Sequence, residues 1–394
     1  MKRTPFYPRT SELLGSYDWS IWAGWLSANV YDLDHSHEYL AIRTSCGVFD
    51  TTPLYKYQIH GPDALRLLNR VVTQDVARYG AGRSLYTPWC DDQGKIIDDG
   101  IVARLDDQLF RMTAAEPTLF WLEENATNLE VTIEDITEAY GIMAFQGPYT
   151  RDVLRRLTRA DVDSLGYFGL MEIDLAGIPI LLSRTGYTGD LGYELWVEPA
   201  HAVALWDAIF DVGAEYRIRP FGDYALDIAR IEAGMLLAST EFQSALKAKY
   251  EHEKVTPLEL GLGWTVKLSK DYFVGQKTLI EDRKQGLKWQ TVGLEVDLQS
   301  LEAIYALYGM PLHLPYRSWK QTVPVYAGGM KVGKATSGTW SPMLKKYIAL
   351  ARIWPRYASA GSQLEMEVTV DATRHRARAT VVKTPFFNPP RKIR

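Results

Sequence analysis

The residues of this sequence that are best suited to chemistry are carboxylates placed inside apolar strands. Asp98 and Asp99 follow two isoleucines in the segment GKIIDDGIV, which has the pattern of a strand after a turn. Adjacent side chains on a strand point to opposite faces, so one acid can face a pocket while the other meets a neighbouring element. An acid buried beside apolar residues has a raised pKa and can transfer protons. An exposed acid beside a turn is the alternative.

A third carboxylate, Glu194, lies in the apolar strand GYELWV. A carboxylate in that setting must find hydrogen-bond donors. The amino-pyrimidine edge of a ligand offers two parallel N–H groups, which match a bidentate acceptor. A structural salt bridge to Arg230 is the alternative. The preceding glycines of RTGYTGDLGYE lie between two predicted strands, so they indicate a hairpin turn rather than a phosphate-binding loop.

Several other kinds of chemistry find no support in the sequence. It contains no Cys-x-x-Cys or His-Glu-x-x-His pattern, no Walker or GxGxxG loop, and no GxSxG elbow. His35 and His37 stand near three acids, but residues two apart on a helix do not share a face. We therefore predict no metal site. The net charge of -4 provides no basic field for nucleic acid.

The cysteine content and the terminus indicate a cytoplasmic protein. Two cysteines are too few for a disulfide framework. The N-terminus is basic but no apolar run follows it, and no stretch of about 18 apolar residues occurs anywhere. We therefore expect neither a membrane span nor a membrane partner.

The order of predicted elements indicates three domains of mixed α+β class. The segments YQIHGPDALRLL and IMAFQGPYTRDVLRRL share a strand, a Gly-Pro turn and a Leu-rich helix, which indicates a short internal repeat. From about Trp289 the pattern changes to short strands with Gly and Pro turns, typical of a small β-barrel. We predict a first α+β domain at 1–140, a second with the glycine motif at 141–285, and a barrel-like domain at 286–394.

Taken in order along the chain, a series of motifs resembles one family. The motifs AIRTSCGVFD, LLNRVVTQDV, GKIIDDGIV, FQGP, SRTGYTGDLGYELWV, RIEAGM, VGKATSG and TPFF resemble the T-protein of the glycine cleavage system, the tetrahydrofolate-dependent aminomethyltransferase family. The resemblance implies a three-domain cloverleaf with folate in a central hole. It implies that Asp98, the first of the paired aspartates, is the catalytic acid. It also implies that Glu194 and Tyr187 bind folate and that Phe168 and Trp264 flank it.

The sequence departs from this family at positions near the one-carbon donor and the folate tail. The usual FDVSHM is FDTTPL at residues 49–54, an expected Asn is replaced near Ala115, and Leu226 stands where an arginine is expected. We therefore predict a tetrahydrofolate-dependent demethylase that takes a methyl or methylene group from a small methylated donor. One alternative is an aminomethyltransferase that receives its substrate on a lipoyl carrier protein. Another is a folate-binding protein without catalysis.

The chain is rich in aromatic residues, with 12 Trp and 23 Tyr. Aromatic faces can hold flat rings or cationic methylated groups. We predict that Trp25, Tyr55 and Tyr57 line the donor pocket, with burial in the core as the alternative for each.

Overall fold

A computed structural model describes all residues 1–394, and its first fifty residues form short elements that lead into a sheet of later strands. These elements are α1 (Tyr7–Leu13), β1 (Asp18–Trp22), β2 (Trp25–Val30), α2 (Ser36–Thr44) and β3 (Gly47–Asp50). The first two strands form an antiparallel hairpin. Strand β3 pairs with strands from later in the chain, so the first fifty residues contribute to two different sheets.

The next segment forms a five-stranded antiparallel sheet with two helices. Its elements are β4 (Tyr55–His60), α3 (Ala64–Val71), β5 (Arg83–Cys90), β6 (Ile96–Arg104), β7 (Leu109–Ala114), α4 (Leu119–Asn125) and β8 (Thr132–Asp135), with strand order β5-β6-β7-β4-β8. The apolar side of α3, with Leu67, Leu68 and Val71, packs in one core with Trp89 and Met112 of the sheet. Its spacing of apolar residues is that of an amphipathic helix.

A six-stranded sheet follows. Its elements are β9 (Gly141–Gln146), α5 (Thr150–Leu157), β10 (Leu170–Leu175), β11 (Ile178–Ser183), β12 (Gly192–Val197), α6 (Ala202–Gly213), β13 (Arg219–Pro220) and α7 (Asp223–Glu232), with order β10-β11-β12-β9-β3-β13. Both copies of the internal repeat form a strand, a turn at a positive-φ glycine and a helix. Strand β3 from the first fifty residues also belongs to this sheet, and the predicted domain limits stay a prediction.

The C-terminal part is a closed six-stranded barrel. After α8 (Gln276–Gln285) come β14 (Gln290–Val296), α9 (Leu298–Ala306), β15 (Val323–Ala327), β16 (Met330–Ser341), β17 (Lys346–Ile353), β18 (Gln363–Val370) and β19 (Thr373–Val382), in the order β14-β17-β16-β15-β18-β19. The predicted barrel is confirmed. Helix α9, which lies in the segment for which the sequence predicts only short strands, begins where Asp297 accepts a hydrogen bond from the backbone N–H of Ser300. None of the helices combines the length and apolar character needed to cross a membrane.

Helix α7 joins the barrel to the rest of the protein through three consecutive residues. Arg230 donates to Glu241 at 2.7 Å, and Ile231 packs against Ile348 and Leu350 of β17. Glu232 accepts from Arg43 of α2 at 2.7 and 2.9 Å, and also from Tyr39 and from Ser341 of the barrel. Each of these charged side chains is buried and paired.

We expect Glu232→Gln to destabilise the protein strongly, because Arg43 would keep its buried charge and lose its closest carboxylate partner, with only the more distant Asp190 at 3.5 Å remaining. Removing one member of a buried pair costs about 3–5 kcal/mol, to be measured as a loss of unfolding free energy in urea. The control is Glu215→Gln, which breaks a surface pair with Arg156 and should leave the transition unchanged. Equal effects of the two substitutions would contradict a structural role for the buried pair.

Candidate active site

The pleat of β6 separates the paired aspartates. Asp98 is fully buried on the core side of the sheet, where Trp89 of β5 is its cross-strand partner. Its Oδ2 accepts the backbone N–H of Glu116 at 2.8 Å, and its Oδ1 has no partner. Burial, and then the neighbouring carboxylate of Asp99, raise the pKa of Asp98 well above its ordinary value. The side chain of Asp98 thus faces the core of the sheet, and its role as catalytic acid stays a prediction.

Asp99 lies on the opposite face of β6 and is only half-buried. The phenol of Tyr86 donates to its Oδ2 at 2.6 Å. The ring of Tyr86 stacks on Trp264 with centroids 5.9 Å apart, and Trp264 is 58% exposed. Burial raises the pKa of Asp99 to about 6, while the hydrogen bond from Tyr86 lowers it. A carboxyl group with a raised pKa is thus held beside an exposed aromatic face.

The sequence around this pair explains the position of Asp99. Asp91 Oδ1 accepts from the backbone N of Gln93 and of Lys95, which closes the tight turn between β5 and β6. Directly after Asp99, Gly100 allows β6 and β7 to approach closely. A Cβ at that position would lie 1.9 Å from the carbonyl oxygen of Thr113. The close approach requires glycine at position 100 and so fixes the backbone that carries Asp99.

The two sheets meet edge to edge beside Tyr86, along a seam between β5 and the residues that lead into β10. Ser84 donates its backbone N–H to the carbonyl oxygen of Phe168 at 2.8 Å, and Arg83 pairs with Gly169. Phe168 has a φ of 61°, which is an outlier for a bulky side chain. Backbone outliers of this kind cluster at ligand sites. The structure therefore places Phe168, a predicted folate contact, at the junction of the sheets.

Glu194 lies on β12, on the other side of this seam, and is half-buried. Its Oε2 accepts a hydrogen bond from the hydroxyl of Thr185, and its Oε1 has no protein partner. The alternative of a salt bridge to Arg230 is wrong, because Arg230 pairs with Asp227 at 3.2 Å and with Glu241 at 2.7 Å. Burial raises the pKa of Glu194, and the bond from Thr185 opposes that rise.

The glycine motif before Glu194 forms the predicted hairpin turn between β11 and β12. Gly186 and Gly192 pack over the side-chain amide of Gln146, and a Cβ at either position would lie 2.1 or 2.3 Å from it. The hydroxyl of Tyr187 donates to the carbonyl oxygen of Leu236. Leu236 belongs to the apolar cluster on which Tyr86 packs, so the turn brings Tyr187 towards the Asp99 side of the seam.

The three aromatic residues that we predict to line a donor pocket lie on two strands, Trp25 on β2 and both tyrosines on β4. Trp25 is buried in the β1–β2 hairpin beneath the ammonium group of Lys2, 5.4 Å from its ring. Tyr57 is buried in the core of the first sheet, and its hydroxyl accepts the backbone N–H of Thr118 at 2.8 Å. Tyr55 is half-buried on the same strand, opposite Ala114. The alternative of burial in the core holds for Trp25 and Tyr57.

The residues that the structure brings to the seam form what we name the seam site: Tyr86, Asp99, Phe168, Tyr187, Glu194 and Trp264. Sequence reasoning missed the first two of these as site residues. Asp98 and Asp99 are adjacent, and they differ only in which face of β6 their side chains occupy. Tyr86 becomes a diagonal neighbour of Asp99 only when β5 and β6 pair in the register seen here. No three His, Cys, Asp or Glu side chains converge in a metal-binding arrangement. His35 instead packs edge-on against Tyr316, with ring centroids 4.8 Å apart.

Comparisons with known proteins point to the same family in the N-terminal and C-terminal parts of the chain. The GCVT N-terminal domain family matches residues 17–270, and the glycine cleavage T-protein C-terminal barrel domain matches residues 312–388. The aminomethyltransferase of Thermoanaerobacter sp. (strain X514) is 33% identical over 376 residues, which is 93% of this chain and 94% of that protein. The aminomethyltransferase of Halothermothrix orenii is 32% identical over 396 residues, covering 98% and 100%.

A solved structure shows the same fold. Glycine cleavage system aminomethyltransferase T from Bartonella henselae matches with a TM-score of 0.82 and 22% identity, covering 98% of each chain. The predicted α+β architecture with a C-terminal barrel is confirmed by this match and by the closed barrel itself.

Proposed function

The chain belongs to the glycine cleavage T-protein family of tetrahydrofolate-dependent one-carbon transferases, and from this premise we propose that it moves an aminomethyl-borne carbon onto tetrahydrofolate. Its donor would be an aminomethylated lipoyl carrier protein. The observation that carries the proposal is the position of Asp99, a half-buried carboxyl bonded to Tyr86 beside the exposed face of Trp264. The alternative function from the sequence analysis thus replaces the demethylase as the first candidate.

The seam site has groups that suit a reduced folate. Glu194 has one free carboxylate oxygen and one that accepts from a hydroxyl, so it can accept N–H groups of an amino-pyrimidine edge. Phe168 and Trp264 can offer aromatic faces to flat rings. When bound, tetrahydrofolate supplies the nucleophilic nitrogen that takes up the carbon.

Asp99 has the properties of a proton carrier for this transfer. In its ionised form it can accept the proton that an attacking amine loses when it gains a carbon substituent. It can then return that proton to the departing amine, which leaves as ammonia. The carbon also forms a bond to a second folate nitrogen as its bond to the lipoyl sulfur breaks, and the proton from that nitrogen ends on the lipoyl thiol, so atoms and charges balance. A carboxyl with a pKa of about 6 is well matched to both steps near neutral pH. Tyr86 stabilises the ionised form by donating a hydrogen bond.

We expect Asp99→Asn and Asp98→Asn to differ sharply. Loss of a general acid–base lowers kcat by roughly 10²–10⁴-fold, and we expect that loss for Asp99→Asn. Asp98→Asn keeps an acceptor for the backbone N–H of Glu116, so its kcat should change only a few-fold. Steady-state rates of both variants, each first checked for an unchanged melting transition, decide the assignment. The reverse order of effects would restore Asp98 as the catalytic acid.

We expect kcat/KM to rise with pH through about 6, because the ionised form of Asp99 is the active one. Tyr86→Phe removes the hydrogen bond that lowers the pKa of Asp99, so the midpoint of this rise should move to higher pH. Tyr326→Phe, which alters a bond to Glu367 on the barrel, is the matched control and should leave the midpoint in place. A midpoint unmoved by Tyr86→Phe would remove Tyr86 from the site.

A second candidate, the demethylase, is favoured by one specific observation. Leu226 of α7 and Trp22 both pack against an apolar cluster that contains Phe49 and Phe221. The resemblance places an arginine at position 226, and an apolar wall there would suit a methylated donor better than a charged one.

A donor assay distinguishes these candidates. The protein with tetrahydrofolate is offered either an aminomethylated lipoyl carrier protein or a panel of O-, N- and S-methylated small molecules, with Asp99→Asn as the background control. Release of ammonia with formation of methylenetetrahydrofolate from the carrier supports the aminomethyltransferase. Carbon transfer only from a methylated small molecule would overturn it in favour of the demethylase.

A further inference from the structure

Four arginine side chains are buried, and one of them lacks any partner. Arg43 and Arg230 form ion pairs, and Arg184 donates to the carbonyl oxygens of Leu165 and Lys392. Arg352 of β17 is 5% exposed, donates no hydrogen bond and has no carboxylate within 4.0 Å; its Nη1 is fully enclosed. A buried cation without a partner is costly, so its retention calls for a ligand.

A second unpaired cation stands directly opposite Arg352. Lys334 of β16 is its cross-strand partner, which places their Cβ atoms about 5 Å apart on one face of the barrel. Lys334 is half-buried and makes no hydrogen bond or ion pair. Like charges in opposite positions of two strands destabilise a sheet. Burial, and then the charge of Arg352, lower the pKa of Lys334, which agrees with a pair that lacks a counter-ion.

The nearby carboxylates do not pair directly with these cations: none lies within 4.0 Å of either, although the charges of Glu259 and Glu241 partly offset the cost of burying the Arg352 guanidinium. Glu241 binds Arg230 and Ser337, and Glu259 accepts from Thr256. Glu253 accepts the backbone N–H groups of residues 249 and 250. An external anion is therefore the group that the pair lacks.

The strand next to Arg352 is bonded to a turn of chain that leads to the seam site. Thr291 of β14 is the other cross-strand neighbour of Arg352, and it donates both its N–H and its hydroxyl to the carbonyl oxygen of Glu259. Leu260 and Leu262 of the same turn belong to the apolar cluster on which Tyr86 packs. One turn of chain, residues 256–262, thus separates the pair from the aromatic stack of the seam site.

We propose that Lys334 and Arg352 form a carboxylate-binding subsite, and that it receives a carboxylate of the glutamate tail of folate. A guanidinium binds a carboxylate through two parallel N–H groups, and the ammonium of Lys334 adds a second charge. The identity of the tail as the source rests on the proposed function, whereas the anion subsite does not. A free carboxylate is the other source of the same chemistry.

Binding titrations with three pteridines test the proposal. Binding is measured as the change in the intrinsic tryptophan fluorescence of the protein. The ligands are tetrahydropteroate, which has no glutamate, tetrahydrofolate, and its triglutamate form. We expect the wild-type protein to bind tetrahydrofolate at least tenfold more tightly than tetrahydropteroate. Arg352→Met should remove most of that preference and leave the Kd for tetrahydropteroate within twofold. Arg374→Gln, at an exposed arginine of the barrel, is the matched control.

A thermal-shift measurement with citrate keeps the subsite separate from the proposed function. If no pteridine binds, the proposed function fails and this measurement alone decides the subsite. Stabilisation of the wild-type protein but not of Arg352→Met by citrate supports the subsite with a free carboxylate as its source. A tail preference that survives Arg352→Met, or the absence of both a tail preference and a citrate effect, would overturn the proposal.

The stability of the variant without ligand gives an independent readout. An arginine with only a structural role loses stabilising contacts when it is replaced, and the melting temperature falls. Because Arg352 makes no hydrogen bond or ion pair, and Met can fill much of the space of its apolar stem, we expect Arg352→Met to melt at the same temperature as the wild-type protein or higher. A large fall in the melting temperature would show that the guanidinium has a structural role and would count against the subsite.

Discussion

The ion pair between Arg43 and Glu232 is the constraint on which the arrangement of the three parts depends. The two residues are 189 positions apart in sequence, and both are enclosed. Removing charge from water is expensive, and only a set of short, well-directed hydrogen bonds makes such a pair tolerable. Glu232 achieves this with donors from α2 and from the barrel, so neither element can shift without exposing a bare charge. This penalty and the apolar contact between Ile231 and β17 together make the docking of the barrel on α2 and α7 specific.

The geometry of the seam site depends on this docking of the barrel. Arg230 precedes that apolar contact on α7, and its bond to Glu241 fixes the start of the segment that ends at Trp264. Trp264 in turn covers Tyr86, the donor to Asp99. The acid of the first sheet is thus oriented by groups that the second sheet and the barrel hold in place. A one-carbon transfer needs such rigidity, because proton transfer works only over hydrogen-bond distances.

Much of the fold is visible in the sequence because local patterns there agree with the tertiary structure. The repeat at YQIHGP and AFQGP, the barrel after Trp289 and the hairpin before Glu194 all follow from alternation and turn chemistry. The sequence does not tell which of Asp98 and Asp99 faces the seam, because the two residues are of the same type and are adjacent. The face that each occupies depends on how β6 pairs with β5. The aromatic residues do not locate a donor pocket by their type alone, for a related reason. Trp25 and Tyr57 have side chains equally suited to a core or a pocket, and only burial separates the two.

A comparison with another buried cation, Lys56, shows why Lys334 and Arg352 are unusual. Lys56 is fully buried, and its ammonium donates to three backbone carbonyl oxygens at 2.7, 2.9 and 2.9 Å. Lys56 shows that this fold can satisfy a buried cation with backbone carbonyl groups alone. Two unpaired cations side by side on the docked face of the barrel are therefore an exception. A ligand carboxylate placed there would remove the repulsion between them. Since Arg352 faces the turn at residues 256–262, binding would also favour the docked position of the barrel and couple ligand affinity to domain association.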